Sequence, residues 1–289
     1  MFKNVEDVRT KLSHCGYITE YKMELSIFLA DKLSKPLLVE GPAGVGKTEL
    51  GRVIAKALNT PLIRLQCYEG LDEAKALYEW NYQKQLLRIQ STKKDEKSFW
   101  EKIQEDIYTE DYLLPRPILK AFTSDERVTL LIDELDKSDE EFESFLLEAF
   151  SDYQVTIPEY GTVTAKNKPL IVITSNNNRS LSDALKRRCL HLYIDYPDFE
   201  REMEILKLKV PGIDHKLKKE IVKFVQSTRE MDLKKAPSIS ETIDWAKSLL
   251  LLGVDSLDKE IVLGTLNVLL KYHSDIKQVE KRLANLLPG

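Results

Sequence analysis

The sequence predicts an α/β fold, a parallel sheet flanked by helices, with a C-terminal all-helical domain. Three observations predict it. Short apolar runs alternate with helical patterns from residue 36 to residue 194. Two of those runs end abruptly, one in a glycine-rich turn at 41–48 and one in the carboxylates Asp133 and Glu134. Beyond Pro197 only helical spacing recurs. Alternating strands and helices followed by helices alone imply a parallel α/β domain over 1–197 and a helical domain over 198–289.

Residues 1–35 read as a helical lead-in, with Tyr21, Leu25, Phe28, Leu29 and Leu33 at helical spacing. Pro36-Leu37-Leu38-Val39-Glu40 is a short apolar run suited to a strand buried on both faces. Leu50, Val53, Ile54, Ala57 and Leu58 then give helical spacing over 47–58. Leu62-Ile63-Arg64-Leu65-Gln66 is a second strand, and 71–89 is a long helical pattern rich in Ala, Leu, Glu and Lys. From 91 to 104 the chain becomes charged and loses periodicity, as a mobile insertion would. Pro115 and Pro117 precede a helix over 118–122.

The run 128–132 is β-branched and aliphatic, a buried strand closed by Asp133-Glu134. Ser138 is placed to cap a helix carrying Phe142, Phe145, Leu146, Ala149 and Phe150 on one face. Two short runs flanking Pro158-Glu159-Tyr160-Gly161 predict a β-hairpin over 154–164. Leu170-Ile171-Val172-Ile173-Thr174 is a further buried strand ended by Asn176-Asn177-Asn178, and 191–194 is a last short one. In the helical part, Phe199, Met203, Leu206 and Val210 share a face. Ser238-Ile239-Ser240-Glu241 is a capping box, and two helices fill 256–273 and 275–287.

The turn reads Gly41-Pro42-Ala43-Gly44-Val45-Gly46-Lys47-Thr48, a full match to the phosphate-binding pattern G-x-x-x-x-G-K-[ST]. Glycines let the backbone close around phosphate oxygens, with loop N–H groups turned inward. Lys47 brings a cation to the β/γ-phosphates of a nucleotide such as ATP, and Thr48 offers its hydroxyl to Mg²⁺. The following helix, beginning Lys47-Thr48-Glu49, points its positive end at the same anion. The expected nucleotide-binding residues therefore run from Gly41 through Glu49. Strands of such a sheet open onto a ligand crevice at their carboxyl ends. Asp133 is accordingly expected to bind Mg²⁺, directly or through water, and Glu134 to polarise the attacking water.

Composition bounds the remaining possibilities. The chain is 43% apolar, yet no apolar run approaches the roughly 18 residues of a membrane span. The N-terminus, Met1-Phe2-Lys3-Asn4-Val5-Glu6-Asp7, lacks a signal-peptide apolar stretch, so a reducing cytoplasm is expected. Cys15, Cys67 and Cys189 are far apart and suggest neither a metal cluster nor a disulfide framework. With 43 basic and 47 acidic side chains the net charge is −4, which gives no bulk attraction for nucleic acid.

The order of phosphate loop, acidic strand, polar-ended strand, arginine pair and helical lid resembles the AAA+ P-loop ATPases. Within them the stretch Phe145-Leu146-Leu147-Glu148-Ala149-Phe150 followed by Gln154-Val155-Thr156-Ile157 is similar to the MoxR type. The segments 39–50, 65–73, 77–82 and 237–246 look like the subgroup encoded beside carbon monoxide dehydrogenase and related molybdenum hydroxylases. The resemblance implies that Asn176 is the sensor that aligns water against the γ-phosphate, with Thr174 the alternative. It implies that Arg188, or its neighbour Arg187, is a finger acting on the next subunit's site. A finger supplied in trans implies a homo-oligomer, with a hexameric ring as the family expectation.

The expected client is a protein, an immature metalloenzyme reached through a von Willebrand A-type partner. Alternatives are a DNA-directed motor or loader, since Arg188-Cys189 also resembles the clamp-loader finger, and a gas-vesicle assembly ATPase. The chain departs from the family at the second sensor, where 236–241 holds no Arg. Lys234 or Lys235 reaches the nucleotide there, or both are solvated. Tyr68, Tyr78, Trp80 and Tyr82 either grip a client or simply pack. The acidic run 136–143 reads as a solvated helix N-terminus favourable to the dipole.

Overall fold

The computed structural model describes residues 1–91 and 107–286. The mobile insertion expected over 91–104 lies, beyond Ser91, outside the described residues. Chain contacts divide the molecule into two compact units. The first holds Met1–Cys15, Thr19–Glu40 and Thr48–Leu192, and the second holds Gly16–Ile18, Gly41–Lys47 and Tyr193–Gly289.

The first unit is built on a sheet of β1 (Leu37–Glu40), β2 (Leu62–Gln66), β5 (Thr129–Asp133), β8 (Leu170–Ser175) and β9 (Leu190–Tyr193), in the order β2-β5-β8-β1-β9. The pairs β2–β5, β5–β8 and β1–β8 are parallel. Every residue of β1, β5 and β8 is buried, which is why each reads as an unbroken apolar run. The edge strand β2 has mixed exposure instead. Its register sets Gln66 opposite Asp133, while Ile132 faces Ile173, so all three strands deliver polar residues at the same end.

Helix Lys47–Leu58 follows β1, and Pro117 starts helix Pro117–Thr123 with the fixed φ that suits a first turn. The lead-in forms two helices, Val5–His14 and Tyr21–Leu33. The hairpin pairs β6 (Gln154–Ile157) with β7 (Gly161–Thr164) antiparallel.

The single helix expected over 71–89 is broken. Asp72 caps a four-residue turn Glu73–Ala76 by accepting from Lys75 N at 2.9 Å. The chain then forms β3 (Tyr78–Trp80), paired antiparallel with β4 (Leu113–Pro115), before helix Tyr82–Ser91. A partner strand more than thirty positions later decides the conformation of 78–80, whose aromatics favour a strand once one is available. Ser138 is also not the cap expected of it. Asp139 occupies that position for helix Glu140–Asp152, and Ser138 Oγ donates to Leu135 O at 2.8 Å.

The second unit carries helices Phe199–Lys209, His215–Arg229, Ile239–Leu251, Lys259–Leu269 and His273–Leu286. Its core gathers Leu206, Leu217, Phe224, Trp245, Leu249 and Leu266. Among the described residues no helix is long and apolar enough to cross a membrane.

Candidate functional site

The carboxyl ends of β2, β5 and β8 bring together a dense polar cluster. Asp133 is 1% exposed, and both its oxygens are occupied. Thr48 Oγ1 and Thr174 Oγ1 donate to Oδ1 at 2.8 and 2.6 Å. Arg64 donates to Oδ2 from Nη2 at 2.5 Å and from Nε at 3.1 Å. A buried polar group is costly unless its hydrogen-bonding capacity is met, as it is here. Arg64 was not singled out in the sequence; the register of β2 against β5 is what places it there.

Glu134 begins where the strand ends. Its backbone is left-handed, φ 58° and ψ 49°, although it is not a glycine. Such a conformation costs of order 1–3 kcal/mol and persists only where the surroundings impose it. Here Glu134 N donates to Thr174 Oγ1 at 2.9 Å. The turn aims the carboxylate at three donors. Asn176 Nδ2 reaches Oε1 at 3.2 Å, while Gln66 Nε2 and Lys137 Nζ reach Oε2 at 2.8 and 2.7 Å. The Glu134 carboxylate raises the Lys137 pKa in turn, by hydrogen bond and by charge. Thr174 is thus spent on Asp133 and on the Glu134 backbone, and of the two it is Asn176 whose side chain meets the Glu134 carboxylate.

Thr48 and Asp133 form a hard-oxygen pair, which suits Mg²⁺ taking its other ligands from phosphates and water. Among the described residues no group of three or more His, Cys, Asp or Glu side chains is arranged to hold a metal by itself.

The loop Gly41–Lys47 is described with the second unit. Its glycines are required by space as well as by backbone. Gly41 has φ +149°, and a Cβ there would come 1.9 Å from Ile194 O. Gly44 has φ +77°, and a Cβ would come 2.2 Å from Ser238 Oγ. Lys47 Nζ donates to Gly41 O at 2.8 Å and Pro42 O at 2.6 Å. Tyr17 OH donates to Gly46 O at 3.3 Å, and Ser240 Oγ to Gly44 O at 3.1 Å. Ser240 lies in the first turn of helix Ile239–Leu251, which Ser238 caps reciprocally with Glu241.

Both lysines considered for the second sensor are exposed, and each has a neighbour within its own unit. Lys235 Nζ pairs with Glu241 at 3.2 Å, and Lys234 Nζ lies 4.2 Å from the Tyr272 ring centre. Arg187 and Arg188 are exposed at the end of helix Asp183–Arg188. Arg188 Nη1 donates to Ser151 Oγ.

The acidic run 136–143 is not uniformly solvated. Asp136 and Glu143 are 4% and 1% exposed. Asp136 accepts from Asn176 and Asn178, while Glu143 pairs with Arg179 and accepts from Ser182 N at 2.8 Å. Their partners lie some forty positions downstream, so the local charge pattern could not reveal them. The aromatic segment divides. Trp80 is buried and meets Tyr78 and Tyr108 edge-on, whereas Tyr68 and Tyr82 are exposed.

Comparison with known proteins agrees with this arrangement. An uncharacterized protein of Staphylococcus haemolyticus is 26% identical over 246 residues, which is 81% of this chain and 85% of the relative. An uncharacterized protein of Staphylococcus aureus matches to the same extent. Among solved structures, a point mutant of Thermotoga maritima RuvB is similar in fold, with TM-score 0.51 and 21% identity, covering 92% of this chain and 70% of that one. A second RuvB mutant gives TM-score 0.50 at 21% identity, covering 91% and 68%. Residues 36–189, more than half of the sequence, match the family model of the AAA domain, dynein-related subfamily. That span runs from the strand before the phosphate loop to the arginine pair, and the chain belongs to this family, a branch of the AAA+ ATPases.

Proposed function

We propose that the chain is a Mg²⁺-dependent ATPase of the MoxR type that remodels a protein client, with metalloenzyme maturation as its setting. The observation that carries the catalytic part is Glu134 in a left-handed turn, its carboxylate in reach of the Asn176 amide beside the Thr48–Asp133 pair.

In this reading the phosphate loop holds the triphosphate and Lys47 balances the β/γ charge. Thr48 and Asp133 would hold Mg²⁺, whose charge would stabilise the negative charge of the phosphates. Glu134 takes or orients a proton of the attacking water, and Asn176 fixes where that water sits. Arg188 is exposed at the end of its helix and donates to Ser151, and that exposure suits a finger serving a neighbouring copy. Such a head-to-tail arrangement closes into a ring, a hexamer by family expectation.

The client-facing part rests on the element between helices Glu73–Ala76 and Tyr82–Ser91. A groove of about 800 Å³ there is lined by Tyr78, Glu79, Trp80, Tyr82 and Arg116. Rigid aromatic rings beside paired charges suit contact with a polypeptide.

The experiment is capture on Glu134→Gln protein in Mg-ATP, set beside hydrolysis measured with and without DNA. The reading expects ATP-dependent retention of a protein partner, displaced when Tyr82 is changed to Ala, and hydrolysis indifferent to DNA. Hydrolysis stimulated by DNA with a steep salt dependence would instead favour a nucleic-acid motor.

A further inference from the structure

Resting on the reading of Glu134 and Asn176 given above, we propose that Asp136 is a positioning residue for ATP hydrolysis. It holds the backbone of Asn176 so that the amide side chain meets Glu134.

The last register pair between β5 and β8 is Ile132 with Ile173. Beyond it the two strands no longer bond to each other in register, so a separate device must fix Asn176 against Glu134. Asp136 supplies it. It lies in the turn Leu135–Lys137 that follows Glu134, and its carboxylate is 4% exposed. Oδ1 accepts from Asn176 N at 3.1 Å. Oδ2 accepts from Asn178 N at 3.0 Å and from Asn178 Nδ2 at 2.7 Å. Asn177 between them is left-handed, φ 58°, which turns both flanking N–H groups toward the same anion. The circuit is closed by Asn176 Nδ2 donating to Glu134 Oε1 at 3.2 Å. One side chain therefore joins the turn bearing Glu134 to the loop bearing Asn176.

The chemistry of the contact makes a sharp substitution available. All three bonds need an acceptor, and a carboxylate offers two oxygens. In Asp136→Asn the shape is kept, but one oxygen becomes an NH₂ that confronts an N–H. Either the Asn176 end or the Asn178 end is then released. Misplacing a water-aligning group by about 1 Å can cost up to about 100-fold in rate. Nucleotide affinity, set by the phosphate loop, has no reason to change.

The test measures kcat for ATP hydrolysis and Kd for ATP in wild type, Asp136→Asn, Asn176→Ala, the Asp136→Asn/Asn176→Ala double variant and Glu134→Gln, with thermal midpoints recorded. Asp136→Asn is expected to lower kcat by about 10- to 100-fold with Kd unchanged. The double variant is expected to be no slower than Asn176→Ala alone, because both changes act through one amide. If Asp136→Asn fails to fold, Asn178→Ala removes only the 2.7 Å bond and should show a smaller loss of the same kind. Wild-type kcat in the singly substituted proteins, multiplicative losses in the double variant, or a fall in affinity at constant kcat would overturn the proposal. If Asn176→Ala and Glu134→Gln themselves hydrolyse ATP at the wild-type rate, the reading of the site fails first. If those two are impaired and Asp136→Asn is not, only the role of Asp136 falls.

Discussion

Cys67 lies one residue beyond β2, and its N–H donates to Asp133 O at 2.9 Å. Burial pushes its thiol up from 9.0 to about 12, and the Asp133 carboxylate adds to the rise. Burial does the same to Cys189, from 9.0 to about 12, and to the Tyr153 hydroxyl, from 10.0 to about 12. An acid whose pKa is raised by folding holds its proton more tightly in the native state. The associated stability is whole below the unfolded pKa and is lost as pH rises toward the folded one. Stability to urea should therefore decline between pH 9 and pH 12. A thiol reagent at pH 8 should label the half-buried Cys15 well before Cys67 or Cys189. Equal labelling of all three in the native protein would contradict this picture. At this scale the sequence was informative where a motif defines the chemistry, as with Lys47, Thr48, Asp133 and Glu134. It was silent on Arg64 and Gln66 and read Asp136 as part of a solvated helix start, because their partners are set by strand register and by a loop forty positions away.

Among elements, three helices of the second unit share one buried network. Glu202 on Phe199–Lys209 is 0% exposed and accepts from both terminal guanidinium nitrogens of Arg229, each at 2.7 Å. Gln226 Nε2 and Thr242 Oγ1 donate to the same carboxylate at 2.6 and 3.0 Å. Arg229 Nε donates to Pro237 O at 2.7 Å, just ahead of the capped helix Ile239–Leu251. Removing one partner leaves a buried charge uncompensated. Arg229→Ala should cost about 3–5 kcal/mol in denaturant unfolding. A loss below about 1 kcal/mol would place the network at the surface in energetic terms. Elements were legible in proportion to how local their cause is. The strands β1, β5 and β8 are buried on both faces and announce themselves as apolar runs. The capping box at Ser238 and Glu241 is likewise written within four consecutive residues. The segment 78–80 was not legible, since it takes its conformation from pairing with 113–115 while its neighbours favour helix.

For the whole molecule, the near balance of charge gives no general attraction to nucleic acid, and the matched family model spans the stretch from the phosphate loop to the arginine pair. The proposed activity of this chain is ATP hydrolysis through Glu134. Phosphate release from Mg-ATP by wild type and by Glu134→Gln, with ATP binding measured on both, tests it most directly. Equal binding is expected, with a rate at least roughly 100-fold lower in Glu134→Gln. Equal rates in the two proteins, or wild-type protein that binds Mg-ATP and releases no phosphate, would contradict it.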